Sequence, residues 1–123
     1  MSEKQDIPLG QICVQVHPGR AAHLDLDQLT SACEAIARST EGVRGFSATK
    51  GEEEGAYLNL VFAAEQPVSA WSLLRPKLLE SSELGESLKA ACMAMCTGSD
   101  GWNDYLLLHH FDPEVPLDDL DEA

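Results

Sequence analysis

An α+β domain, an antiparallel sheet covered on one face by two helices, is the fold class this sequence predicts. Three observations predict it. Two segments alternate apolar and polar residues with period two. Two others carry apolar residues at helical spacing. Turn residues separate all of them at short intervals. The 123 residues, 44% of them hydrophobic, suffice for one domain with its own core.

Residues 1–10 read as a flexible N-terminal arm, 11–112 as the single α+β domain and 113–123 as an acidic tail. Gln11–His17 (QICVQVH) alternates cleanly, with Ile12, Val14 and Val16 on one face and Cys13, Gln15 and His17 on the other. Pro18-Gly19 stops this strand. A helix then opens at Asp25 or Asp27 and places Leu26, Leu29, Cys33, Ile36 and Ala37 on one stripe. Gly42 ends it. Val43–Lys50 is short, polar and interrupted by Gly45, which suits an edge strand. After the acidic GEEEG turn, Ala56–Ala64 alternates again, with Leu58, Leu60 and Phe62 opposite Tyr57, Asn59 and Val61.

Pro67 starts a second helix striped by Trp71, Leu74, Leu78 and Leu79, with a kink or restart expected at Pro76. Ser81, Ser82 and Gly85 are expected to break it. Leu88–Cys96 (LKAACMAMC) stays open: alanine and methionine favour helix, while a short apolar run before Gly98-Ser99-Asp100-Gly101 fits a buried strand. Asp104–Phe111 closes the sheet. The resulting order, β-α-β-β-α-β with room for one extra strand before the last, is that of the ferredoxin-like split βαβ fold. The first and third strands, the most apolar, are expected at the centre.

The charge is unusual for so ordinary a composition. Twenty-one acidic against 8 basic residues give a formal charge of −13. Such a surface repels nucleic acid and anionic membranes and attracts basic proteins, or simply keeps the chain soluble. No apolar run approaches the roughly 20 residues of a spanning helix, and the polar N-terminus lacks a secretory leader. Cys13, Cys33, Cys92 and Cys96 lie inside apolar segments, as reduced core thiols do. The expectation is a cytoplasmic protein.

Candidate chemistry is sparse. Cys92-x-x-x-Cys96 with His109-His110 lacks a recognised zinc spacing, and adjacent strand histidines face opposite sides, so no metal site is expected. Cys13 and His17 share a strand face but stand roughly 13 Å apart, too far for a nucleophile and its base. Phosphate loops and the GxSxG elbow are absent, and no cofactor is expected. His17, Tyr57, Asn59 and His109 would line the open sheet face, as an interface or, alternatively, as a small-molecule site. Trp71 reads as core, and Trp102 as an exposed anchor or a cap on the sheet end.

One likeness follows. Asp100-Gly101-Trp102-x-x-Tyr105, entering the last strand ahead of an acidic tail, resembles the C-terminal segment of the ribonuclease E inhibitor protein B family. The resemblance covers about six residues and the element order. Leu106–His110 is longer and more apolar than that family's pattern, and the tail is shorter. It implies a bacterial, acidic protein that acts by binding another protein, without catalysis. The sequence thus predicts a non-enzymatic, inhibitor- or immunity-type protein for a basic partner such as a nuclease or toxin. Contact is expected through Glu52, Glu53, Glu54, Asp100, Trp102, Asp104, Asp118 and Asp119. The alternative is a homodimer, joined through the open sheet face, that binds or converts a small molecule there.

Overall fold

The computed structural model describes residues 10–20, 25–51, 56–80, 83–98, 101–112 and 114–117; for 83, 84, 98 and 101–105 it describes the backbone alone. In chain order the elements are β1 (Gly10–Val16), a 3-10 turn (Pro18–Arg20), α1 (Leu26–Ser39), β2 (Val43–Gly51), β3 (Tyr57–Ala64), α2 (Pro67–Leu79), α3 (Glu83–Lys89), β4 (Cys92–Gly98) and β5 (Gly101–His109). The protein is α+β, with one open, antiparallel, five-stranded sheet in the order β2-β3-β1-β4-β5. β4 is the extra strand allowed for before the last, and α3 is a helix beyond the expected order. β1 takes the centre, β3 lies beside it, and β2 and β5 form the edges. β1 begins at Gly10, inside the stretch expected as an arm.

The helices cover one face of the sheet. Ile12, Val14 and Val16 of β1, Leu58, Leu60, Phe62 and Ala64 of β3, and Cys92, Ala94 and Cys96 of β4 are all buried on that side. Leu29, Cys33 and Ala37 of α1 meet them, with Ala70, Trp71, Leu74, Leu78 and Leu79 of α2 and Leu88 of α3. Each fully buried large aliphatic or aromatic side chain contributes about 1.5–3 kcal/mol. Trp71 is a core residue, as its place on the helical stripe predicts.

The α1 start is capped by Asp25, whose carboxylate accepts from the amides of Asp27 (3.0 Å) and Gln28 (3.1 Å). This satisfies two of the amides that a helix start leaves without partners. α2 does not restart at Pro76. The proline lies in the last turn of the helix, which runs unbroken to Leu79. Lys77 of α2 donates to the Thr40 hydroxyl at 3.1 Å, joining α2 to the end of α1.

The segment left open between helix and strand is divided. Leu88 and Lys89 end α3, and Cys92 begins β4. Tertiary pairing overrides the helical propensity of alanine and methionine here. Small Cys92, Ala94 and Cys96 fit beneath the helices, while Met93 and Met95 take the opposite face. Gly85 was expected to break a helix, yet it lies within α3 and is buried. A Cβ there would stand 2.9 Å from the carbonyl oxygen of Leu78 and 3.0 Å from the Leu79 carbonyl carbon. The missing side chain lets α3 approach the α2 backbone.

Glycine to alanine inside a helix normally stabilises by about 1 kcal/mol. Gly85→Ala is expected to reverse that sign and destabilise by about 1–3 kcal/mol through overpacking, read as a lower midpoint in urea unfolding. A raised midpoint would contradict the close approach of α2 and α3.

Candidate functional site

The face of the sheet away from the helices has no covering element among the described residues. Strand pairing defines its membership, because paired residues share a face. One row crosses all five strands: Ser47, Val61, Cys13, Met95 and Leu107. The next runs Thr49, Asn59, Gln15 and Met93. Gly45, Ala63 and Gln11 lie on one side of these rows, and Tyr57 and Gly51 on the other. Among the described residues at these positions none is charged, on a chain of net charge −13. Cys13, Val61, Met93, Met95 and Leu107 are half-buried, so the centre of the face is apolar.

Two local contacts order the face. Gln15 donates through Nε2 to Oδ1 of Asn59 at 3.1 Å, across the β1–β3 pair. The Tyr57 ring lies over Gly51, where a Cβ would come within 2.2 Å of its hydroxyl oxygen. Glycine at an edge strand thus gives a cross-strand aromatic its resting place. Burial raises the Cys13 thiol above its ordinary range.

Four residues were expected to share this face, and two do. Tyr57 and Asn59 are on it. His109 is not: it pairs with Ala94 and is nine-tenths buried on the helix side. The cause is a bulge in β5. Met95 pairs with Leu107 but Ala94 with His109, so Leu108 is an extra residue and the alternation shifts by one. His109 donates from Nε2 to the Lys89 carbonyl at 2.9 Å. Burial lowers its pKa, the bond to Lys89 opposes that, and the charges of Arg75, Lys89 and His110 lower it further.

His17 lies just beyond the end of β1, its amide donating to the Ala91 carbonyl at 2.7 Å. Its ring meets the edge of Phe111 with centroids 5.5 Å apart. Of the expected contact residues, Glu52, Glu53, Glu54, Asp100, Asp118 and Asp119 lie outside the described residues, and Trp102 and Asp104 are placed by backbone only, on edge strand β5.

The other cysteines are inert by position. Cys33, Cys92 and Cys96 are fully buried, and none forms a disulfide. Burial pushes Cys33 and Cys92 up to about 12, with each of the two near enough for Cys33 to raise Cys92 further. Cys92 and Cys96 share a strand face toward the helices, the opposite side from the open face. Among the described residues no group of three or more His, Cys, Asp or Glu side chains is placed to hold a metal ion, and no helix is long and apolar enough to cross a membrane. No family model matches the chain, and neither a curated protein nor a solved structure is found to be similar to it.

Brief treatment of the native protein with a maleimide is expected to label Cys13 alone, and slowly, because reaction needs the thiolate. Mass spectrometry of the digested protein checks this. Equal labelling of Cys33, Cys92 or Cys96 would mean that the helix-side core is open.

Proposed function

We propose that the chain is a non-enzymatic binding protein that captures a basic protein partner through the open face of its sheet. One observation carries the reading: a wholly uncharged face at the described positions, apolar at its centre, on a molecule of net charge −13. Depletion of charge at the centre with charge around it is the anatomy of a protein contact surface. Charge outside the contact speeds encounter with a partner of opposite sign. In this reading Glu52, Glu53, Glu54, Asp118 and Asp119 steer the partner. Trp102, Asp100 and Asp104 extend the contact at the β5 end.

The local ion pairs fit this division. Arg38 pairs with Glu34 at 3.2 Å, Arg44 with Glu65 and Arg75 with Glu80, all exposed. These cations are occupied by neighbouring acids, which leaves the surplus acid to set the surrounding field.

We read β2-β3-β1-β4, with helices between β1 and β2 and between β3 and β4, as a ferredoxin-like arrangement with β5 appended at its edge. The likeness of Asp100-Gly101-Trp102-x-x-Tyr105 to the ribonuclease E inhibitor protein B family supports the class of behaviour, an acidic inhibitor or immunity-type protein. Buried thiols without disulfides support a cytoplasmic setting. A second reading uses the same face: two copies carrying −13 each can meet there without opposing like charges. A homodimer of that kind would make Cys13 labelling slow as protein concentration rises.

Capture from an extract of the source cell is expected to retain a specific basic protein at low salt. Its association rate should fall by about tenfold or more between low and high ionic strength. Recovery of no specific partner, or of one indifferent to salt, would overturn the proposal.

A further inference from the structure

Away from the open face, most of the imidazoles gather at one corner of the molecule. β1 and β5 finish at the same end of the sheet, since both run antiparallel to β4. That end meets the C-terminal ends of α2 and α3. A cleft of about 680 Å3 opens there, walled by Leu79, Lys89, His109, His110 and Phe111. Its size falls within the range of small-molecule sites.

Phe111 organises the corner. The Arg20 guanidinium lies 3.9 Å from its ring centroid, the His110 ring is 4.3 Å away, and His17 meets it edge-on. Arg20 is held there by a 3.4 Å hydrogen bond from Nε to the Ala90 carbonyl. Nδ1 of His110 accepts the Asp112 amide at 3.0 Å, which leaves Nε2 to carry the proton as a donor. Nε2 of His17 is buried with no hydrogen-bond partner, an unmet polar atom of the kind that marks an unfilled role.

We infer that this corner is a binding site for a small organic anion, a planar apolar body bearing one carboxylate. Phe111 and Leu79 offer the apolar wall. The Lys89 ammonium and the His110 Nε2–H offer donors to the carboxylate, with the Arg20 charge close by. Two acids also border the cleft, Glu80 and Glu86. Glu80 is engaged by Arg75, so among the described lining residues Glu86 is the carboxylate left to oppose the anion. The inference stands apart from the open face and the protein partner.

The charged groups set a pH dependence. Arg75 and Glu80 from α2, Glu86 and Lys89 from α3, and His110 all face His109 or its cleft. The pKa of His17 and that of His109 lie below the ordinary value, burial first and neighbouring cations next. His109 is the one of the two that lines the cleft, and an anion there is held more firmly as pH falls through its lowered pKa and the ring gains a proton.

The test is an NMR titration of the intact protein with benzoate, benzamide and benzylamine, following the imidazole signals of His109 and His110. Benzoate is expected to shift them saturably, with at least about tenfold weaker binding of the amide and the amine. Affinity for benzoate should rise as pH falls below the ordinary imidazole value of about 6.5 toward about pH 5, because the pKa of His109 lies under that value. Lys89 is exposed, so Lys89→Ala should leave the fold intact and weaken benzoate by about tenfold, with recovery in Lys89→Arg. Absence of a saturable benzoate shift, benzamide or benzylamine binding as tightly as benzoate, or an unchanged affinity in Lys89→Ala would each overturn the inference.

Discussion

β1 is hydrogen-bonded along both sides, to β3 and to β4, and the rest of the molecule is arranged by that double pairing. Its alternation decides which side of the sheet is core. Ile12, Val14 and Val16 must be buried, so all three helices gather on their side, and Cys13 and Gln15 are left on the other. A shift of one residue in its register would exchange the two faces. The same strand delivers His17 to the corner where β5 ends. Core, open face and cleft therefore all follow from one seven-residue strand.

The strands with regular alternation were legible in the sequence, because period two survives without any tertiary information. β1 and β3 are of this kind, and the edge position of β2 follows from its polarity and Gly45. The Asp25 cap and the α1 stripe were legible for the same local reason. β4 was not, because alanine and methionine carry helical propensity and only pairing with β1 settles them. Gly85 misled, since a glycine reads as a break until the neighbouring helix that needs the space is known.

Of the candidate site, the Tyr57–Asn59 part of the open face was legible and the histidine part was not. Counting alternate residues from Leu107 puts His109 on the open face, and the bulge at Leu108 reverses it. Nothing in Leu106–His110 announces that extra residue, because leucine suits either face. The gathering of His17, Arg20, His110 and Phe111 was equally hidden, since it joins residues from both ends of the chain. Its only local sign was the turn at Pro18 that ends the first of these segments. Among the described residues the surface divides accordingly: an uncharged sheet face, a more acidic remainder and a corner where imidazoles and cations collect around one phenylalanine.

The account turns on the open face as the place where a protein partner sits. Placing a single charge at its centre tests this most directly, with Val61→Glu in β3, where the side chain is half-buried and points away from the helix-side core. The measurement is the dissociation constant for the captured partner, beside the thermal midpoint of the free protein. The account predicts a loss of affinity of about tenfold or more, as for an unpaired charge desolvated at a contact centre, with a midpoint close to that of the unaltered chain. Undiminished affinity in a folded Val61→Glu protein would contradict it.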